Sequence, residues 1–306
     1  MTAVLISEVG PRDGLQSIDR VMPLAAKKAW IAAEAAAGVR EIEVGSFVPS
    51  SLLPQLADTA EVVAFAKTIP NLNVVALVPN AKGAARAAEA GVNAMSIPFS
   101  MSETHSLKNV RKSHAEMIAE IGAVAEIAQA ANIHFAVGLS TAFGCTMEGA
   151  IPEDQVVRLA EAAAHAGAQE FSLSDTTGYA DPAQVKRLVR KVRAAVGPEK
   201  MTTLHLHNTR GLGLANALAG LEEGITTLDS SLGGIGGCPF APGASGNIVT
   251  EDLAFMLAAM GVETGIDLDA LMQVRAILAE ALPGEPLYGF TPDAGLPLGY
   301  DQRGVA

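Results

Sequence analysis

Two histidines, His205 and His207, are separated by one residue within a run of strand-forming residues. Side chains two residues apart on a strand point to the same side, so both imidazoles can face one ligand. Such a pair fits metal binding, but it also fits one catalytic and one packing histidine, or two hydrogen-bonded polar residues. The position of the strand within the fold must decide between these interpretations.

A second reactive segment, Gly10–Gln16, carries Arg12 next to Asp13. The guanidinium of an arginine is always charged, so it suits a substrate carboxylate or a developing enolate oxygen. A salt bridge from Arg12 to Glu43 or Asp175 is the structural alternative, and such a pair would also orient the guanidinium. Both acids stand close to glycines, near the predicted ends of strands.

One cysteine, Cys238, stands in a loop that contains six glycines between Gly233 and Gly246. Glycines permit sharp turns and hinge motions, which suit a lid better than a buried packing position. We therefore interpret Cys238 as a reactive thiol that acts as an acid or a nucleophile. Cys145 also follows a predicted strand, and its context favours neither a chemical role nor a packing role.

Short strand-like runs alternate with longer amphipathic segments roughly every 30 to 40 residues along the chain. Eight β-then-α units predict a single (β/α)₈ TIM barrel over residues 1–306, with an extra helical and irregular C-terminal segment from about residue 267. Several helices end at a glycine, which tolerates the left-handed conformation that terminates a helix: Gly38, Gly91, Gly167 and Gly224. The predicted strands are Val4–Glu8, Glu41–Val44, Val74–Val78, Ala94–Pro98, Phe135–Leu139, Glu170–Ser174, Thr203–His207 and Thr227–Ser230. The predicted helices include Pro23–Ala37, Ser113–Ala131, Glu153–Ala166, Pro182–Ala195 and Leu212–Glu223.

A barrel predicts that reactive residues gather at the C-terminal ends of its strands. Strand 8 adjoins strand 1 in a closed barrel, so the ends of strands 7, 8 and 1 form one arc. Four side chains could then converge on a single ion: Asp13, His205, His207 and Asn247. This mixed nitrogen and oxygen set suits Mg²⁺ or Mn²⁺ better than a closed structural zinc site.

The segment Glu103–His114, predicted as a loop, carries Lys108, Arg111 and Lys112 and no acid beyond its first residue. In an acidic protein such a cluster could bind phosphate groups, and a solvated start of the next helix is an equal alternative. The remaining histidines stand in helical or loop contexts and are interpreted as surface or packing residues: His105, His114, His134 and His165.

The composition excludes several classes of protein. A net charge of −12 argues against a general nucleic-acid or anionic-membrane binder, because both partners are polyanions. Only two cysteines occur, which argues against a disulfide framework and for a reducing, cytoplasmic setting. Residues 1–8 lack the pattern of a signal peptide, and apolar runs elsewhere are too short to span a membrane.

Taken together, the motifs resemble a known family. The run Val9–Gln16 resembles the opening motif of the 3-hydroxy-3-methylglutaryl-CoA (HMG-CoA) lyases of the DRE-TIM metallolyase superfamily, and the cysteine-loop motif Gly236–Asp252 is highly specific for them. The similarity spans nearly the whole chain. Shorter matches are Ile42–Phe47, Gly144-Cys145, Ser174–Thr176 and His205-x-His207.

The resemblance implies a homodimeric lyase that cleaves an acyl-CoA substrate, HMG-CoA, to acetyl-CoA and acetoacetate by retro-aldol (reverse Claisen) chemistry, as in leucine degradation. It implies that Arg12 stabilises the thioester enolate and that Cys238 protonates it, while Asp13 or a neighbouring histidine, His205, takes the proton of the alcohol. The divalent metal would be bound by Asp13, His205, His207 and Asn247.

The same resemblance assigns supporting roles to further residues. Glu43 and Asp175 are similar to carboxylates that support the active site, whereas Gln16, Lys108 and Asn109 are similar to positions that contact CoA.

The sequence departs from the family pattern in two places. Asn208-Thr209-Arg210-Gly211 stands where the lyases commonly carry Asp-Thr-Tyr-Gly, and Ser17-Ile18-Asp19 stands where they carry Asn-Glu-Lys. An added cation near the mouth and a missing lysine could change the choice of substrate. The alternatives are therefore an (R)-citramalyl-CoA lyase, which yields acetyl-CoA and pyruvate, and a lyase for longer 3-hydroxyglutaryl-CoA homologues. A Claisen-type synthase of the isopropylmalate synthase kind and a non-catalytic binding barrel fit less well.

Overall fold

The computed structural model describes residues 3–236 and 246–300. Eight parallel strands pair in sequence order and the last pairs with the first, so the sheet closes and the predicted TIM barrel is confirmed. The strands are β1 (Leu5–Glu8), β2 (Glu41–Ser46), β3 (Asn73–Leu77), β4 (Ala94–Ser100), β5 (His134–Ser140), β6 (Glu170–Asp175), β7 (Met201–Leu206) and β8 (Thr227–Ser230).

Helices alternate with the strands and cover the outside of the barrel. They are α1 (Leu24–Ala36), α2 (Thr59–Ala66), α3 (Ala81–Ala90), α4 (Glu103–Asn109), α5 (His114–Ala131), α6 (Glu153–His165), α7 (Pro182–Val196), α8 (Gly213–Glu222), α9 (Thr250–Ala259), α10 (Leu268–Ala281) and α11 (Phe290–Ala294). Short helical turns occur at Gly10–Gly14, Pro54–Leu56 and Leu232–Gly234.

Side chains of the strands alternate between two environments. Those that face the helices are large and apolar, such as Phe99 and Phe135, which are at most 1% exposed. Those that face the barrel interior are small or polar, such as Ser96, Gly138 and Ser172. Bulky branched residues usually fill a TIM barrel. Because small residues replace them here, a cavity of about 890 Å³ extends from the interior to the loops at the C-terminal ends of the strands.

Local sequence signals explain where the helices begin and end. The Ser113 hydroxyl accepts the Glu116 N–H and the Glu116 carboxylate accepts the Ser113 N–H, a capping box that starts α5. Asp181 caps α7, and Pro182 takes its first position, where no N–H is needed. Gly91 ends α3 in the left-handed region with φ 78°.

The segment after β4 is not the predicted loop. Residues Glu103–Asn109 form α4, because the Ser102 hydroxyl accepts the His105 N–H at 3.0 Å and so caps the helix. The predicted end of β7 was also wrong by one residue, since the strand stops before His207. His207 instead forms an isolated antiparallel bridge with Asn247.

The predicted C-terminal helix is present. Asp267 caps α10 by accepting the Ala270 N–H at 3.0 Å, and α10 packs against α1 and α9. Within residues 3–236 and 246–300, no helix combines the length and the apolar character needed to cross a membrane.

Candidate active site

Arg12 and Asp13 reach the mouth of the barrel on the tight turn Gly10–Gly14, directly after β1. The N–H groups of residues 12, 13 and 14 all donate to the Val9 carbonyl, at 3.1, 2.7 and 3.4 Å. Pro11 suits the start of such a turn, because its ring fixes φ and it has no N–H to satisfy. The turn therefore holds two adjacent charged side chains over the cavity.

Three side chains of types that bind metals meet at the mouth: Asp13, His205 and His207. The two imidazole Nε2 atoms lie 3.2 Å apart, and the Asp13 Oδ2 atom lies 3.8 Å from one and 3.9 Å from the other. All three side chains are buried, at 8 to 9% exposure. Donor atoms this close together can share one cation.

Asn247 joins this group from the segment before α9, where it forms an isolated bridge with His207. Its Nδ2 donates to the Asp13 Oδ2 at 2.7 Å, while its Oδ1 is buried and has no hydrogen-bond partner within the described residues. A buried amide oxygen without a donor is costly unless something else binds it. The predicted four-residue set is thus brought together, and its chemistry fits a divalent cation.

Burial and neighbouring charges set the protonation states of Asp13 and His207. Burial opposes ionisation of Asp13, but the positive charge of Arg12 outweighs it and lowers the pKa of Asp13 far below its usual value. Burial and the charge of His205 lower the pKa of His207 to about 4. A carboxylate and a neutral imidazole are the forms that bind a metal.

His205 is oriented from behind by a residue that the sequence did not suggest. Its Nδ1 lies 3.0 Å from the Asp229 Oδ2 on β8, and the two residues are register partners. Burial lowers the pKa of His205, but this hydrogen bond and the charge of Asp13 raise it overall. With Nδ1–H donating to Asp229, the imidazole presents Nε2 to the mouth.

Arg12 is paired with Glu43 and with its neighbour Asp13. Its Nε donates to the Glu43 Oε2, and its Nη1 donates to the Asp13 Oδ1 at 2.5 Å. Glu43 is itself held by the Ser96 hydroxyl, which donates to Oε1 at 2.7 Å. Of the two predicted partners of Arg12, Glu43 is correct.

Asp175 does not pair with Arg12. Its carboxylate turns toward the backbone and accepts the N–H groups of Tyr179 and Ala180, at 2.8 and 3.1 Å. Burial raises the pKa of Asp175 to about 6. In this conformation Asp175 supports the turn after β6.

The residues predicted to contact CoA line the cavity near its mouth: Gln16, Lys108 and Asn109. Gln16 also donates to the Asp13 Oδ1 at 2.9 Å. One member of the predicted basic cluster is neutralised, because the Lys112 ammonium forms an ion pair with Glu120 of α5. That acid lies eight positions further along the chain, outside the acid-free segment.

The expectations about single histidines met different outcomes. His134 is exposed, as interpreted, but it begins β5 and does not stand in a helix or loop. His105, interpreted as a surface or packing residue, lines the cavity. Arg210 was expected to add a cation near the mouth. It donates to the carbonyls of Thr177 and Gly178 in the turn after β6 and stacks on the Tyr179 ring at 4.6 Å, and it is not among the residues that line the cavity.

Only one of the two cysteines, Cys145, lies within the described residues. Cys145 is 1% exposed, and its sulfur accepts the Met147 N–H at 3.4 Å, so it serves the fold of its loop. Cys238 lies outside the described residues, as does the central part of the glycine-rich loop.

The residues that sequence reasoning missed are Asp229 and Ser96. Both face the barrel interior, and alternation along β8 and β4 carries the signal: Ser96 stands between the buried apolar residues Met95 and Ile97, and Asp229 follows the buried Leu228. Their partners could not be identified without the register of the strands.

Comparison with known proteins agrees with this architecture. The family model HMGL-like matches residues 3–278. The hydroxymethylglutaryl-CoA lyase of Bacillus subtilis is 41% identical over 284 residues, which cover 93% of this chain and 94% of that protein. The (R)-citramalyl-CoA lyase of Chloroflexus aurantiacus is 40% identical over 305 residues, and the alignment covers 96% of this chain and 96% of that protein. A structure of an HMG-CoA lyase from Acinetobacter baumannii, in complex with coenzyme A and 3-methylmalate, is 42% identical with a TM-score of 0.91, covering 98% of this chain and 99% of that one. This chain therefore belongs to the HMGL-like family, whose carbon–carbon lyases it matches over nearly its whole length.

Proposed function

We propose that this protein is a divalent-metal-dependent acyl-CoA lyase that cleaves HMG-CoA to acetyl-CoA and acetoacetate. The observation that carries the proposal is the meeting of Asp13, His205 and His207 beside Arg12, at the mouth of a cavity large enough for an acyl group. Asn247 completes the proposed ligand set, because its buried Oδ1 needs a partner. Mg²⁺ and Mn²⁺ suit these nitrogen and oxygen donors.

The chemistry that a divalent cation supplies at such a site is Lewis acidity, which lowers the pKa of a substrate alcohol. The protein residues then divide the remaining work. Asp13 or His205 accepts the proton of the tertiary alcohol, the carbon–carbon bond breaks, and its electron pair becomes the thioester enolate. The guanidinium of Arg12, fixed by Glu43, stabilises the enolate oxygen. Cys238 donates the proton that converts the enolate to acetyl-CoA.

Substrate binding is proposed to use the outer part of the cavity. Gln16, Lys108 and Asn109 line its mouth, and the charges of Lys108 and Arg111 suit the phosphates of CoA. We further propose a homodimeric, cytoplasmic enzyme of one domain that acts in leucine degradation, on the basis of family resemblance.

The test is to incubate the purified protein with Mg²⁺ or Mn²⁺ and with HMG-CoA or (R)-citramalyl-CoA in separate reactions. Acetoacetate from the first supports the proposal. Pyruvate from the second would instead favour citramalyl-CoA cleavage, the activity named for the relative that is 40% identical. Activity that survives EDTA would refute the metal mechanism, and a Cys238→Ser variant with full turnover would refute the role of the thiol.

A further inference from the structure

Three glutamates that the proposed reaction does not use are buried behind the Gly10–Gly14 turn. Glu8 is the last residue of β1, Glu34 lies on α1 and Glu251 lies on α9, and each is 0% exposed. None of the three lines the cavity. Completely buried acids are rare unless they are hydrogen-bonded or paired, so each needs a physical reason.

Glu8 connects three backbone segments. Its Oε1 accepts the Gly10 N–H at 2.8 Å, and both of its oxygens accept the Leu232 N–H, at 3.0 and 3.1 Å. Its Oε2 also accepts the Thr250 hydroxyl at 2.7 Å. Gly10 opens the turn with the reactive pair, Leu232 opens the loop after β8, and Thr250 opens α9.

This arrangement leaves no space for a side chain between Gly10 and the carboxylate. A methyl group at Gly10 would lie 2.5 Å from the Glu8 Oε1 and 2.8 Å from the Trp30 ring. The turn therefore rests directly on Glu8. Any displacement of this carboxylate must move the backbone that carries Arg12 and Asp13.

Burial raises the pKa of Glu8 to about 7, and the hydrogen bonds from Thr250, Leu232 and Gly10 limit this rise. Among the described residues, Glu34 lacks such donors. Both of its carboxyl oxygens are buried without a hydrogen-bond partner within the described residues. Burial, followed by the negative charge of Glu8, raises the pKa of Glu34 well above its usual range. Glu251 adds to the negative charge around the pair, although Arg275 of α10 pairs with it. Two adjacent buried carboxylates cannot both ionise cheaply, so one of them retains a proton.

We propose that Glu8 is a positioning residue for the lyase reaction and that Glu34 is its proton-bearing partner. Glu8, which accepts hydrogen bonds from three donors, ionises more readily, and Glu34, whose oxygens have no partner in hydrogen-bond geometry within the described residues, keeps the proton. Through the Gly10 N–H, Glu8 supports from behind the turn that carries Arg12 and Asp13. The catalytic part of this inference rests on the proposed function.

The experiment compares Glu8→Gln with Glu34→Gln. A glutamine at position 8 removes the negative charge of the acceptor, and its N–H₂ group cannot accept from the Leu232 N–H or the Thr250 hydroxyl, so the turn loses part of its support. We expect kcat with HMG-CoA to fall at least about tenfold while KM changes little, because Glu8 does not touch the cavity. Glu34→Gln imitates the neutral acid and is expected to retain wild-type kcat at pH 7.

Two measurements on the free protein make the outcome independent of the substrate. The affinity for Mn²⁺ alone, followed by electron paramagnetic resonance of the free ion, should fall several-fold in Glu8→Gln and remain unchanged in Glu34→Gln. The melting temperature of Glu34→Gln relative to wild type should rise between pH 5.5 and 8.5. In the wild type, ionisation of Glu34 in the unfolded chain favours unfolding as the pH rises, and glutamine removes this effect.

Each result decides the proposal. Wild-type kcat and Mn²⁺ affinity in Glu8→Gln would overturn the positioning role. An equal loss of kcat in both variants, or a melting-temperature difference that does not change with pH, would overturn the proton-bearing role of Glu34. If Glu8→Gln does not fold, Glu34→Gln still tests the pair. If the wild type cleaves neither acyl-CoA, the proposed function fails. The Mn²⁺ affinity and the melting temperatures still test the roles of Glu8 and Glu34.

Discussion

Asp229 is expected to control how His205 binds a metal, although it is not itself a proposed ligand. The two side chains are 3.0 Å apart, with the His205 Nδ1 facing the carboxylate. An Asp229→Asn variant preserves the size of the side chain. Its amide can donate to Nδ1, which places the imidazole proton on Nε2, the atom that faces His207 and Asp13.

The size of the effect follows from the bond that is lost. A hydrogen bond between an imidazole N–H and a carboxylate contributes about 1.5–3 kcal/mol. Since 1.4 kcal/mol corresponds to a factor of about ten in an equilibrium constant, Mn²⁺ affinity should fall about 10- to 100-fold. Saturating Mn²⁺ should restore part of kcat, because the metal competes with the misplaced proton.

The assay is a Mn²⁺ titration followed by electron paramagnetic resonance, together with kcat at low and saturating Mn²⁺. Glu41→Gln is the matched control. Glu41 also faces the barrel interior, but it begins β2 at the opposite end from the mouth and accepts from Asn73 at 2.6 Å. Unchanged Mn²⁺ affinity in Asp229→Asn, or an equal loss in the control, would refute the reasoning.

Three further predictions concern the mouth and its supporting turns. Arg12→Lys keeps the charge but loses the fork that binds Glu43 and Asp13 together, so kcat should fall roughly 10²- to 10³-fold with little change in KM, as steady-state kinetics will report. Burial raises the pKa of Asp175 from 3.8 to about 6. The stabilisation that the protonated carboxyl provides is therefore complete below pH 3.8 and is lost as the pH rises through 6. Urea unfolding of metal-free protein should show this loss, on the order of 3 kcal/mol, and Asp175→Asn should abolish it; a parallel pH profile in both proteins would contradict the assignment. Gly10→Ala should lower the free energy of unfolding by about 1–3 kcal/mol through overpacking against Glu8 and Trp30, and wild-type stability would show that the turn relaxes.

Much of the architecture can be predicted from local sequence. Period-two alternation identifies the strands, and caps such as Ser113 and Asp181 or a terminal glycine such as Gly91 set the ends of helices, because these signals act over a few residues. The alternation of strands and helices then favours closure into a barrel. Closure alone predicts that the end of β1 lies near the ends of β7 and β8, and so predicts the grouping of Asp13 with His205.

Other features depend on tertiary structure. The pairing of Asp229 with His205 depends on the register between β7 and β8. Arg12 pairs with Glu43 and not with Asp175, because the Asp175 carboxylate is hydrogen-bonded to the backbone of the turn after β6. The contacts of Glu8 join segments more than 220 positions apart. Sequence patterns report the neighbours of a residue along the chain. Hydrogen bonds between distant segments depend on the packing of whole elements, which only the folded structure determines.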